Sequence, residues 1–92
     1  MNNGQDHKKV ISDFAVGKVM LDIGAGGGVM LDILSENHPE ATVIGIDIAI
    51  NVVEELNRRK FRENKSWHVK QANALELKDY YEPGSVDTIV FS

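Results

Sequence analysis

An acid followed by alternate glycines makes residues 22–28, which read DIGAGGG, the part of the chain best suited to bind a ligand. Glycine allows a tight turn and lets a ligand approach main-chain atoms without a Cβ in the way. N–H groups of such a turn, at the start of a helix, favour an anionic group. The carboxylate of Asp22 suits a ligand that also carries an ammonium group. The candidate binding residues here are Asp22, Gly24, Ala25, Gly26 and Gly28.

A second acid, Asp47, ends a later apolar run and precedes Ile48. In nucleotide-binding β-α-β units, an acid about 20 residues beyond the glycine turn binds the ribose hydroxyls. Two hydroxyl donors facing one carboxylate form a charge-assisted pair of hydrogen bonds. The alternative is an acid that caps a helix or is simply solvated.

The glycine turn could belong to either of two classes of nucleotide-binding site. The dinucleotide fingerprint is G-x-G-x-x-G, and its third glycine would fall on Val29. The pattern present is instead D-x-G-x-G-x-G, with Asp22 as its acid. This favours a ligand other than a dinucleotide, although Asp47 does not separate the two classes because both use an acid there.

The elements that must position these residues alternate between strand and helix. Short apolar runs and β-branched residues predict strands, and apolar residues at helical spacing predict helices. Such alternation is typical of a parallel sheet with helices on its faces. Strands are predicted over 18–23, 42–47, 67–71 and 86–91, helices over 6–15, 29–37 and 50–64, and a helical turn over 75–81.

The two central helices have distinguishable faces in the sequence. The first is expected to bury Met30, Ile33 and Leu34, and the second to bury Val52, Val53 and Leu56. The second also carries a basic cluster, for which we expect a solvated face rather than a nucleic-acid site. The i to i+4 spacings of Glu54 to Arg58 and of Glu55 to Arg59 predict surface ion pairs there. The residues of that face are Glu54, Glu55, Arg58, Arg59, Lys60 and Arg62.

The segment from Asp22 to Gly28, placed between a strand and a helix, resembles the first motif of the class I S-adenosylmethionine-dependent methyltransferases. The resemblance implies that the glycine turn lies against the methionine end of the cofactor. It implies that Asp22 serves the ammonium group of that end, often through water. Asp47 would bind both ribose hydroxyls, and Ile48 would pack on the adenine.

Two later segments also resemble this family, and one of them departs from the family pattern. After the third strand the family usually has an acid that accepts a hydrogen bond from adenine, and here the matching residue is Asn73. Its amide oxygen can accept that bond, and the N–H of Ala74 could meet the ring; a turn asparagine that bonds its own backbone is the alternative. Residues 85–91 resemble the fourth strand, in which Asp87 is expected to be structural.

The resemblance implies a Rossmann-like three-layer α/β sandwich, with a parallel sheet of about four strands in the order 3-2-1-4. Residues 1–92 would form the S-adenosylmethionine-binding half of a methyltransferase domain, without strands five to seven. The expected function is methyl transfer, with S-adenosylhomocysteine as product and an acceptor and catalytic residues that the sequence does not indicate. The isolated chain is expected to be inactive. The alternatives are a nicotinamide or flavin oxidoreductase domain and a non-catalytic fragment.

Composition bounds the remaining possibilities. The 92 residues carry a formal net charge of −4 and contain no cysteine, which removes disulfides and thiol chemistry. The acidic balance disfavours nucleic acid as a partner, and His7, His38 and His68 lack metal-ligand spacing. No apolar run is long enough for a membrane span. We therefore expect a cytoplasmic protein with no membrane partner and no metal.

The fourth strand would lie at a sheet edge, and its apolar run carries neither proline nor lysine. Edges of this kind recruit other strands. The sequence therefore predicts a homodimer formed through this strand.

Overall fold

The computed structural model describes residues 18–92, and within this part the strands and helices alternate as expected. The first, third and fourth strands are shorter than predicted, and the helix predicted over 50–64 ends one residue earlier. The predicted helix over 6–15 lies outside the described residues. The 75–81 region divides into a 3₁₀ turn, Ala74–Glu76, and a short helix. The strands are β1 (Val19–Ile23), β2 (Thr42–Asp47), β3 (His68–Gln71) and β4 (Thr88–Phe91), and the helices are α1 (Val29–Asn37), α2 (Ile50–Glu63) and α3 (Leu77–Tyr80).

The four strands form one parallel sheet in the order β3-β2-β1-β4, which confirms the predicted fold. The register places Asp22 of β1 beside Gly45 of β2. Because all strands run in one direction, the turn after β1 and Asp47 at the end of β2 lie at the same sheet edge. The connection to β4 crosses back over β1, and ligands of open α/β sheets bind at such a reversal of strand order.

One face of the sheet packs against α1 and α2. Since side chains alternate along a strand, Met20 and Val43 point to this face together with Gly45. Gly45 leaves room for α1, because a Cβ there would lie 2.9 Å from Cδ1 of Leu31 and 3.0 Å from Cβ of Ala25. The buried core of this face consists of Met20, Ala25, Met30, Leu31, Leu34, Val43, Leu56, Trp67 and Val90.

The helix faces are close to those predicted, with one correction in each helix. Leu31 is fully buried, although it was not among the predicted core residues, and Ile33 is only half-buried. The reason is the position of Leu31 over Gly45, which turns α1 so that Leu31 rather than Ile33 faces the sheet. In α2 Val53 and Leu56 are buried as expected, whereas Val52, also predicted to be buried, is only half-buried against the core.

The opposite face of the sheet carries Leu21 and Ile46, both buried. Lys70 pairs with Ile46 in the register and so points the same way. Its Nζ atom lies 4.0 Å from the centre of the Tyr80 ring, which places α3 beside this face. Helices therefore border both faces of the sheet, as a three-layer arrangement requires.

Asp87 directly precedes β4 and lies at the amino ends of the strands, whereas the glycine turn lies at their carboxyl ends. Its Oδ2 atom accepts hydrogen bonds from the N–H groups of Lys18 and Val19, at 2.8 and 2.9 Å. The N–H of Asp87 donates in turn to the Val19 carbonyl, at 2.9 Å. These bonds hold the pKa of the Asp87 carboxyl below its ordinary value. The residue has the structural role that was expected of it.

Residues 18–92 contain no helix that is both long and apolar enough to cross a membrane. In the same range, no group of three or more His, Asp or Glu side chains is placed to hold a metal ion.

Candidate functional site

The glycine turn, residues 24–28, is tied to the neighbouring strand by its backbone. The N–H groups of Gly24 and Ala25 both donate to the carbonyl of Ile46, at 2.8 and 3.3 Å. The φ angles of Gly24, Gly26 and Gly28 are 77°, 53° and 86°, a region that side chains disfavour. The turn therefore depends on the alternate glycines that the sequence shows.

The outer side of the glycine turn is open. Gly24, Gly26 and Gly27 are exposed, and a Cβ at Gly27 would meet nothing within 4 Å. Helix α1 follows directly, with Gly28 as its N-cap and no side chain capping it. Main-chain atoms and a helix N-terminus are thus available together, which suits an anionic group of a ligand.

The close approach of helix and turn occurs at Gly28 rather than at Val29. A Cβ at Gly28 would lie 2.6 Å from Nη1 of Arg59 and 3.0 Å from Cδ2 of Leu56, both on α2. Val29, where the dinucleotide fingerprint has its third glycine, is 36% exposed. The turn therefore packs closely against α2.

Asp22 is brought to the turn but is fully buried. The hydroxyl of Ser92 donates a hydrogen bond to its Oδ1 atom, and the N–H of Ser92 donates to the carbonyl of Ile23, at 2.9 Å. Ser92 thus lies over Asp22. In this arrangement a ligand ammonium group reaches the carboxylate only through an intervening group, such as water.

Asp47 directly contacts the glycine turn. Its Oδ2 atom accepts from the N–H of Gly26, at 3.3 Å, and its Oδ1 atom accepts from the N–H of Ala49, at 3.0 Å. The second bond comes from Ala49, the N-cap residue itself, and no side chain of residues 18–92 caps α2, so the helix-capping role considered as the alternative is not observed. The carboxylate is half-buried, and its oxygens have lone pairs left for two hydroxyl donors. The bonds to Gly26 and Ala49 are therefore compatible with ligand binding.

Ile48 is 63% exposed beside Asp47, so it presents an apolar surface at the same edge. Its carbonyl accepts a hydrogen bond from Nε2 of Gln71, at 3.1 Å. The N–H of Ala72 donates to the carbonyl of Asp47, at 3.1 Å. Gln71 thus orients the loop after β2, a role that sequence reasoning missed because its partner is 23 residues away.

Asn73 and Ala74 follow β3 at the same edge. The Oδ1 atom of Asn73 accepts from the N–H of Leu75, at 3.0 Å, and caps the 3₁₀ turn. This is the local hydrogen bond foreseen as the alternative for a turn asparagine. Ala74 is exposed. A contact of either residue with adenine stays a prediction.

Arg59 differs from the solvated basic residue expected from the sequence. It donates to the carboxylate of Asp32 through Nη2 and to the carbonyl of Gly27 through Nη1, at 3.2 Å. Its side chain is 22% exposed, against 61% for Arg58 and 62% for Arg62. Packing of α2 against the turn encloses Arg59 and leaves Arg58 and Arg62 exposed. The hydrophobic periodicity of the sequence does not indicate this difference, because the packing is between residues far apart in the chain.

The predicted ion pairs on α2 also need correction. Arg58 pairs with Glu55, with 2.7 Å between Nη2 and Oε2, and Arg59 pairs with Glu63, with 3.1 Å between Nε and Oε2. The predicted pairs were Glu54 with Arg58 and Glu55 with Arg59. Arg59 turns towards the glycine turn and away from Glu55, which leaves Glu55 to Arg58.

A sequence model of the family described as "Methyltransferase domain" matches residues 20–92. The match includes the glycine turn, Asp47 and all four strands except Val19, the first residue of β1. A comparison with curated proteins gives no match.

Solved structures share the fold of the chain. The YcgJ protein from Bacillus subtilis is 22% identical, with a TM-score of 0.77 over 99% of this chain and 38% of its own. The Pyrococcus abyssi tRNA (uracil-54, C5)-methyltransferase, in complex with S-adenosyl-L-homocysteine, is 19% identical, with a TM-score of 0.68 over 91% and 20%. Coclaurine N-methyltransferase, bound to N-methylheliamine and the same cofactor product, is 18% identical, with a TM-score of 0.71 over 97% and 26%. The chain thus spans less than half the length of each.

Proposed function

This chain belongs to the methyltransferase domain family, and we propose that it binds S-adenosylmethionine at the glycine turn for methyl transfer to an acceptor. The observation that carries the proposal is the hydrogen bond from the Gly26 N–H to the Asp47 carboxylate, at 3.3 Å. It joins an open main-chain turn to an acid at the sheet edge where the strand order reverses. The fold that the solved neighbours share supports the same assignment.

Each part of the site suits one part of the cofactor. The exposed turn and the uncapped start of α1 suit the carboxylate of the methionine end. Asp47 suits the ribose hydroxyls, and exposed Ile48 suits one face of the adenine, with Asn73 and Ala74 beside the ring edge. Asp22 is buried under Ser92, so we assign it an indirect contact with the ammonium group. The residues present therefore fit this cofactor.

When bound, S-adenosylmethionine supplies an activated methyl group on a sulfonium, and transfer requires mainly that the acceptor be placed in line with it. The contribution of the described residues is to hold the cofactor. The solved neighbours act on different acceptors, since one is a tRNA methyltransferase and another a coclaurine N-methyltransferase. The acceptor and the catalytic residues therefore stay unassigned, and the cytoplasmic location stays a prediction for the whole protein.

The test is a calorimetric titration of the folded chain with S-adenosylhomocysteine. A separate titration with NAD tests the alternative of a dinucleotide site. We expect binding of S-adenosylhomocysteine alone. Asp47→Ala should weaken it by about a hundredfold, because two charge-assisted hydrogen bonds of about 1.5 kcal/mol each are lost. Glu36→Ala is the matched control, since Glu36 is an exposed acid near the far end of α1.

The other outcomes separate the alternatives. Binding of NAD alone would reassign the turn to a dinucleotide despite Val29. Binding of neither ligand by a chain with a cooperative unfolding transition would leave a fold without a cofactor site. If Asp47→Ala and Glu36→Ala lose the same amount of affinity for S-adenosylhomocysteine, Asp47 does not bind the cofactor.

A further inference from the structure

Arg59 and Asp32 connect the glycine turn to the two helices behind it. Arg59 lies on α2 and Asp32 in the first turn of α1, and their side chains form an ion pair. The exposed fractions of the two side chains are 22% and 20%. The pair is therefore largely enclosed, unlike the other ion pairs of α2.

Several contacts anchor this pair. Oδ1 of Asp32 accepts from Nε1 of Trp67, at 3.0 Å, and lies 3.2 Å from Nζ of Lys65. The Arg59 guanidinium lies 5.8 Å from the centre of the Trp67 ring, and its Nε donates to Glu63, at 3.1 Å. Trp67 is fully buried. Both members of the pair are thus held by groups that do not belong to the turn.

The third guanidinium nitrogen of Arg59, Nη1, donates a hydrogen bond to the turn. The acceptor is the carbonyl of Gly27, at 3.2 Å, and Nη1 lies 2.6 Å from the position that a Cβ of Gly28 would take. The space beside the Gly27 Cα is open, because a Cβ there would have nothing within 4 Å. Glycine loses the most conformational freedom when it is ordered. A turn with four glycines therefore needs an external contact to hold one conformation.

We propose that Arg59 is a positioning residue, which, anchored by Asp32, fixes the peptide of Gly27 so that the glycine turn is preorganised for the amino-acid end of the cofactor. This inference rests on the proposed function. Preorganisation raises affinity because the ordering cost is met before the ligand binds. The effect should fall mainly on ligands that contact the turn, since Asp47 and Ile48 are also held by bonds from Ala49, Ala72 and Gln71.

The experiment compares two ligands by calorimetry. S-adenosylhomocysteine has an amino-acid end, whereas 5′-methylthioadenosine has the same adenine, ribose and thioether without it. In Arg59→Met, S-adenosylhomocysteine should bind about tenfold more weakly, the range of one charged hydrogen bond, while 5′-methylthioadenosine binds as in the original chain. Arg58→Met is the matched control, because Arg58 is exposed and pairs only with Glu55 in α2, and it should change neither affinity.

Arg59→Lys provides a test that does not depend on the stability of Arg59→Met. Lysine keeps the charge beside Asp32 but cannot donate to both Asp32 and Gly27 through the fork of a guanidinium. We expect the same selective loss for S-adenosylhomocysteine. Unchanged affinity in Arg59→Lys, or equal weakening of both ligands, would overturn the positioning role. If the original chain binds neither ligand while folded, the proposed function itself fails.

Discussion

Asp32 accepts hydrogen bonds from three side chains, those of Arg59, Trp67 and Lys65. Burial alone would raise the pKa of the Asp32 carboxyl, but the three hydrogen bonds together outweigh it. The pKa therefore lies below its ordinary value of 3.8. A depressed pKa means that the folded state binds a proton less readily than the unfolded state. Asp32 therefore stabilises the fold above pH 3.8, and this contribution is lost as the pH falls below it.

At the residue scale we predict that Asp32→Asn lowers the free energy of unfolding at pH 7 and loses this effect in acid. The amide carries no charge for Arg59 and Lys65. Urea unfolding of both chains at several pH values measures the difference, which should shrink as the pH falls through about 4. Glu36→Gln is the control and should show no such trend. A difference that is the same at pH 7 and pH 3 would contradict the role of the charge.

Helix α1 approaches strand β2 closely at Gly45. Gly45 faces Leu31 and Ala25 at distances that leave no room for a side chain. The position of α1 determines where the glycine turn ends, because Gly28 caps this helix. Packing at Gly45 and the geometry of the site are thus connected through one element.

At the element scale we predict that Gly45→Ala destabilises the protein by about 1–3 kcal/mol, the usual cost of an added methyl in a packed core. Urea unfolding at pH 7 measures it. Gly27→Ala is the control for stability, since a Cβ there meets nothing within 4 Å. Unchanged stability in Gly45→Ala would mean that α1 shifts freely on the sheet.

Strand β4 forms one edge of the sheet within residues 18–92, where it pairs with β1 alone. Ile89 and Phe91 are 49% and 74% exposed beside this edge. Exposed apolar edges of this kind favour pairing with another strand. The homodimer through β4 that the sequence predicts remains a prediction, and the exposure of these side chains supports it.

At the scale of the whole molecule we expect sedimentation equilibrium to show a dimer whose fraction rises with concentration. Phe91→Lys should shift the equilibrium to monomer, because lysine at an edge opposes pairing. Phe61→Lys is the matched control, since Phe61 is 92% exposed on α2, away from the edge. A monomer at all concentrations would exclude this interface.

The sequence by itself determined the alternation of strands and helices, the glycine turn and the acid at the end of β2. These follow from local properties: apolar periodicity, the φ angles open to glycine, and the meeting of parallel strand ends at one edge. The order 3-2-1-4 was also predictable, although only through the resemblance carried by residues 22–28.

Only the tertiary structure decided which of the neighbouring arginines donates a hydrogen bond to the glycine turn, and that Asp22 is buried. Arg59 meets Gly27 across 32 positions, and Ser92 meets Asp22 across 70. The spacing rules for a helix describe partners three or four residues apart, so they assigned Arg59 to the surface. The physical reason is that α2 packs against a glycine with no side chain, and this packing brings distant residues together.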